Sequence, residues 1–217
     1  MNKPALVLTL AALLAPLAPS PAGARLQAAP APQASAQPAT EQIVLAGGCY
    51  WGMEAVFGAL RGVTKVMSGY SGGGAATANY QMVESGSTGH AESVEITFDP
   101  SVISLRQLID VDFTIAMDPT EENYQGPDHG SQYRSVVFYE NADQEAIVNK
   151  RIAYYASIHL FHAPIVTQVV PLKAFYPAEP EMRNYVATHR YDSYVVQEDL
   201  PKLAALHKIY PNLLASH

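Results

Sequence analysis

A single cysteine, Cys49, leaves this 217-residue chain no partner for an internal disulfide. A disulfide-stapled scaffold is therefore excluded, and the fold must stand on core packing. Basic runs are also missing: thirteen Lys and Arg are scattered against twenty Asp and Glu, for a net charge of -7 and a pI near 5.4. Such a chain does not track phosphates, so nucleic acid is not an expected partner. No phosphate-cradling GxxxxGK[ST] loop, no GxGxxG after a strand and no internal repeat occur. His159 and His162 lie three apart with no third ligand nearby in sequence, so no metal site is expected.

Long apolar runs are absent except at the start, where "MNKPALVLTLAALLAPLAPSPAGA" is Pro-interrupted and short for a bilayer. One Lys, an apolar stretch and the small residues Ala22-Gly23-Ala24 read as a signal peptide over 1–24; an uncleaved anchor is the alternative. The next stretch, 25–40, is rich in Ala, Pro and Gln and cannot bury enough surface to order itself, which predicts a disordered linker. An exported protein, periplasmic or secreted, without stable membrane insertion after cleavage, is expected. In an oxidising compartment an idle, accessible thiol is a liability, so Cys49 needs a reason to be there.

From Glu41 the texture becomes globular, and 41–217 reads as one domain. "EQIVLAGG" predicts a buried strand feeding a tight turn, and Met53, Val56, Phe57 and Leu60 predict a helix stopping near Gly62. The Gly-rich middle predicts one short strand followed by loops. Val94, Ile96 and Phe98 alternate with polar residues as a half-buried strand, and Ser104 with Gln107 forms a capping box before Leu105. "RSVVFY" and "PIVTQVVPL" predict further strands, 142–159 a helix with Val148, Ile152 and Tyr155 on one face, and 199–210 an outer helix. Strands and helices alternate around long loops, so the expectation is one mixed sheet with helices packed against it.

The chemistry gathers around few residues. Cys49 follows a Gly-Gly turn at a helix start, which predicts an exposed thiol with a lowered pKa; a buried structural cysteine is the alternative. Tyr50 and Trp51 could wall an apolar pocket beside the sulfur. Glu92 shares the parity of Val94 and Ile96, so it faces the core, where its carboxyl should stay protonated and serve as a general acid. Tyr80 and Tyr133 fall in polar loops, and His90 or His129 could serve Cys49 as a base. Acyl transfer and sulfur redox chemistry both fit; a module that binds without turnover is a third reading.

In order, "GGCYWGMEAVF", "GVTKVMSGYSGG", "NYQMVESGSTGHAESVEITFDP", Asp118-Pro119 and "QGPDHGSQYRSVVFY" resemble the signature of type A peptide methionine sulfoxide reductases. The resemblance spans residues 41–177 and reaches weakly into "DLPKLAALHKIYP". It implies an α+β fold, a single-domain two-layer sandwich with a mixed sheet. It implies reduction of the S epimer of methionine sulfoxide, in proteins or free, with repair of oxidised exported proteins as the purpose. Cys49 aligns with the nucleophile, passing through a sulfenic acid, Glu92 with the acid, and Tyr80 and Tyr133 with hydroxyl partners of the sulfoxide oxygen. Tyr50 and Trp51 align with the aromatic pair that cradles the substrate methyl, Phe being more usual at the first, and Asp128 with the carboxylate that holds the substrate backbone.

The chain departs from that pattern in places. Many relatives carry a second cysteine three residues after the first or in the tail; here Gly52 stands at the former place. No bound cofactor is expected, and an external thiol, a thioredoxin-like protein or small dithiol, must act as reductant. Met117, Tyr124 and Met182-Arg183 replace the more usual His, Arg and His-Gln. A monomer is expected.

Overall fold

In the computed structural model, residues 40–215 are described. The expected signal peptide and all but the last residue of the expected linker lie outside them. In chain order the elements are β1 (Glu41–Ala46), α1 (Tyr50–Gly58), β2 (Val63–Ser71), α2 (Tyr80–Val83), β3 (Ala91–Phe98), α3 (Leu105–Val111), β4 (Tyr124–Gln125) and β5 (Asp128–His129). They continue with β6 (Val136–Tyr139), α4 (Ala142–Ser157), β7 (Gln168–Pro171), β8 (Phe175–Pro177), α5 (Tyr185–Thr188) and α6 (Leu200–Ile209).

Six strands form one sheet in the order β7-β6-β1-β3-β2-β8, with β4 and β5 as a separate pair. All neighbours are antiparallel except β6 and β7, so the sheet is mixed, as expected. Successive side chains of a strand point to opposite faces, and β1 uses both. Ile43 and Leu45 join the main core with Val56, Phe57, Ile96 and Leu108, while Val44 and Ala46 join a second cluster with Val136 and Phe138. β3 keeps Val94, Ile96 and Phe98 wholly buried on the main-core side, the face that Glu92 shares by parity.

Several local expectations hold. Ser104 Oγ accepts from Gln107 N at 3.3 Å while Ser104 N donates to Gln107 Oε1 at 3.0 Å, the reciprocal capping box. The helix expected over 142–159 ends at Ser157, where His159 turns to φ 50°. Others are corrected. α1 stops at Gly58, and Gly62, at φ 88°, serves the turn into β2 instead of ending the helix. The Gly-rich middle opens with a nine-residue strand, β2, whose pairing along the whole of β3 outweighs the low strand propensity of Gly69. "PIVTQVVPL" shortens to β7, and β8 follows it. The outer tail helix is less detached than expected, because Leu206 is buried and α6 packs on α1. No described helix is long and apolar enough to cross a membrane.

Candidate active site

Gly48 turns at φ 89° and donates its backbone N–H to Tyr133 O at 3.1 Å, which ties the turn before Cys49 to the turn carrying Tyr133. Glycine fits here, since a side chain at that φ is strained and its Cβ would meet Gln125 Cβ at 2.9 Å. Met117 fills the space over Gly47, where a Cβ would lie 2.4 Å from its sulfur. Cys49 then occupies the N-cap of α1 with extended backbone.

The expectation of an exposed, low-pKa thiol is corrected. Cys49 is only 7% exposed, and its thiol is pushed well above the usual range, first by burial and then by the neighbouring Glu92 carboxyl. The backbone N–H of Trp51 pulls the other way and does not win. A helix N-terminus lowers a thiol pKa only where desolvation does not dominate. In the resting site Cys49 is a neutral thiol.

Glu92 behaves as its parity suggested. It is 2% exposed, and burial pushes its carboxyl up to about 8, so it is largely protonated at neutral pH. Its Oε2 accepts from Tyr50 N at 3.1 Å, which fastens the acid to the residue after the nucleophile. Tyr80 opens α2, whose N-cap Asn79 accepts from Met82 N at 3.2 Å. Tyr133 lies in a short turn, and burial followed by the field of Glu92 raises its phenol; Asp128, Cys49 and Tyr80 act on it in the same direction. Tyr80 likewise feels Glu92 and Cys49, after burial and Glu84. One electrostatic neighbourhood therefore contains Cys49, Glu92, Tyr80, Tyr133 and Asp128.

The two aromatics after Cys49 have different fates. Tyr50 is fully buried, and its hydroxyl lies 3.3 Å from that of Tyr70. Trp51 is half-buried, stacked on Tyr185 with centroids 3.7 Å apart and edge-on to Tyr194 at 5.9 Å. Asp128 on β5 is half-buried and accepts a short hydrogen bond from Tyr194. Burial raises its carboxyl despite that bond and the nearby Lys202.

Sequence reasoning missed Tyr70, Glu179, Tyr185, Tyr194 and Asp199. Tyr70 had a signal, because β2 pairs with β3 in a register that sets Tyr70 beside Glu92. The others come from the last forty residues, and nothing local marks them. Asp199 is wholly buried with neither oxygen hydrogen-bonded, and burial lifts its carboxyl to about 6. It presses on Gly52, where a Cβ would lie 2.3 Å from Oδ1. The space three residues after Cys49 is thus already taken. Gly52→Ala is expected to destabilise by about 1–3 kcal/mol through overpacking. Gly58→Ala, in the same helix with nothing near its Cβ, is expected to stabilise by up to about 1 kcal/mol. Urea unfolding of both variants checks the opposite signs.

Of the two candidate bases, His90 is already engaged at both ring nitrogens. His90 is buried, and its Nδ1 accepts from Gly73 N at 3.3 Å, which places the proton on Nε2 for Gly74 O at 3.0 Å. His129 is exposed and stacks on Tyr124 with centroids 5.5 Å apart. Among the described residues no group of three or more metal-ligating side chains comes together.

The profile of the peptide methionine sulfoxide reductase family matches residues 41–212. The chain belongs to that family. Peptide methionine sulfoxide reductase MsrA 2 of Mesorhizobium japonicum is 46% identical over 178 residues, 82% of this chain and 91% of that one. MsrA of Polynucleobacter asymbioticus is 40% identical over 178 residues, 82% of this chain and 93% of its own. Among solved structures, reduced Mxr1 of Saccharomyces cerevisiae superposes with a TM-score of 0.66 at 31% identity, covering 70% of this chain and 87% of Mxr1. Methionine sulfoxide reductase A of Corynebacterium diphtheriae gives 0.61 at 32% identity, covering 71% and 77%. This reductase therefore has the MsrA fold and is a thiol-dependent peptide methionine sulfoxide reductase, which sets aside the hydrolase and pure binding readings.

Proposed function

We propose that the reductase acts on the S epimer of methionine sulfoxide through a sulfenic acid on Cys49, with Glu92 as the acid. The observation that carries this reading is a buried carboxyl raised to about 8 and anchored on Tyr50 N, beside a buried neutral thiol. A sulfoxide sulfur is a poor electrophile until its oxygen gains a proton, and a carboxylate there would repel it. Glu92 lends its proton to that oxygen as the Cys49 sulfur attacks, and takes one back from the thiol. The S–O bond of the substrate breaks, two electrons pass to its sulfur, and the oxygen stays on Cys49 as S–OH. Tyr80 and Tyr133 supply hydroxyls to the oxygen, Trp51 and Tyr50 the apolar wall for the methyl, and Asp128 an acceptor for the substrate backbone.

With no second cysteine in the chain, two external thiol groups must return Cys49 to the thiol, releasing water and leaving a disulfide outside the protein. A thioredoxin-like protein or a small dithiol fits that role. The leader-like first 24 residues support a periplasmic or secreted enzyme that repairs exported proteins, and we take it to act as a monomer. Sequencing the N-terminus of protein recovered from the cell envelope tests that placement: a start at residue 25 supports it, and an intact leader on cytoplasmic protein defeats it.

The mechanism is tested by mixing reduced protein, without reductant, with peptides carrying resolved S or R sulfoxide. One methionine per Cys49 and one oxygen added to the protein, for the S epimer alone, is the expected result. Methionine formed without oxygen on the protein, or equally from both epimers, would overturn it.

A further inference from the structure

The hydroxyl that distinguishes Tyr50 from phenylalanine is not left bare. It lies 3.3 Å from Tyr70 Oη, and Tyr70 donates to Glu179 Oε2 at 2.8 Å. The other oxygen of Glu179 accepts the backbone N–H of Tyr80, the first residue of α2, at 2.9 Å. Burial alone would raise Glu179, but these hydrogen bonds prevail and hold it below the usual carboxylate range. It is therefore ionised, and a carboxylate only accepts.

That fact fixes the direction of the whole chain. Tyr70 spends its one hydrogen on Glu179, so Tyr50 must donate to Tyr70. The hydrogen of Tyr50 is committed to Tyr70, and what remains for a substrate is an aromatic ring. We infer that Glu179 is a positioning residue of the reductase: one oxygen sets the start of α2 under Tyr80, and the other directs the Tyr50 and Tyr70 hydroxyls outward so that Tyr50 serves as an apolar wall. The inference rests on the reading of Tyr50 as part of the methyl pocket. It explains how the chain accommodates a tyrosine at a site meant for a methyl group, since a buried hydroxyl without a partner costs on the order of the group's full desolvation.

Glu179→Gln reverses the chain. The amide oxygen can still accept from Tyr80 N, but the amide nitrogen donates to Tyr70, whose hydrogen turns to Tyr50 and strands the Tyr50 hydrogen in the pocket. Tyr70→Phe removes the acceptor of Tyr50 without touching Tyr80 N. Each variant is expected to raise KM for an S-sulfoxide peptide about 5- to 20-fold while kcat with a saturating small dithiol stays within about 2-fold. In a Tyr50→Phe background the KM effect of either change should fall within 2-fold, because the hydrogen at issue is gone. Unchanged KM in both single variants, or an equal rise with and without the Tyr50 hydroxyl, would overturn the inference. Near-UV circular dichroism confirms that the variants compared are folded; should Glu179→Gln not fold, Tyr70→Phe alone decides. A wild-type enzyme inactive on every sulfoxide would instead defeat the proposed function.

Discussion

Glu92→Gln is expected to slow single-turnover methionine formation by about 10²–10⁴-fold, the range for losing a positioned general acid. Glutamine keeps the size of the side chain and can still accept from Tyr50 N, so the loss isolates the proton. The wild-type rate should fall as pH rises through about 8, where the Glu92 carboxyl ionises and no longer has a proton to give. That limb should be missing from the variant. Rapid-quench measurements between pH 6 and 9.5 settle both points, and a variant with the same alkaline limb would assign it to another group. The same substitution should strengthen the fold. A buried acid whose folded pKa lies above its unfolded value contributes stability below about 4.5 that is lost as pH rises toward 8, so the gain from Gln appears at the alkaline end.

The second large effect lies outside the reaction centre, at Asp112. This side chain is fully buried in the segment 112–116, a widened helical turn, and neither oxygen has a hydrogen-bond partner. Burial alone drives its carboxyl well above the usual 3.8. The folded state thus holds a proton that the unfolded state releases, at about 1.4 kcal/mol for each pH unit between the two pKa values. The stability is fully present below 3.8 and drains away as pH rises toward the folded value. Asp112→Leu, which keeps the branched shape with larger methyl groups in place of the oxygens and leaves no buried polar group, is expected to stabilise the protein more at neutral pH than near pH 4. Urea midpoints across that range measure it; a gain independent of pH would mean that packing, not the proton, is responsible.

How much was legible in the sequence follows from where each signal lies. The capping box at Ser104 and Gln107 is local, four residues carry it, and it forms as read. Glu92 was placed by the two-residue period of its own strand, and parity needs no knowledge of the partner strands. The pKa of Cys49 was misjudged because a helix start is visible in sequence while the layers that cover it are not. Part of what surrounds the thiol, Tyr185, Tyr194 and Asp199, is over 130 residues away, in a stretch whose pattern says only turn and helix. Glu179 was invisible for the same reason. Its two partners, Tyr70 and Tyr80, are 109 and 99 residues distant.

Residues 212–215 are stitched to the segment that follows α1. Arg61 N and Arg61 Nη2 donate to Leu213 O at 2.7 Å and Asn212 O at 2.9 Å, and Ala215 N donates to Ala59 O at 3.0 Å. A ribosome delivers Cys49 long before it delivers this seam, at roughly 5–20 residues per second. For most of that interval, roughly 8–30 seconds, the chain lacks Tyr185, Tyr194 and Asp199, which are electrostatic neighbours of the thiol in the folded site. The folded environment of Cys49 is therefore assembled only after most of the domain has been made.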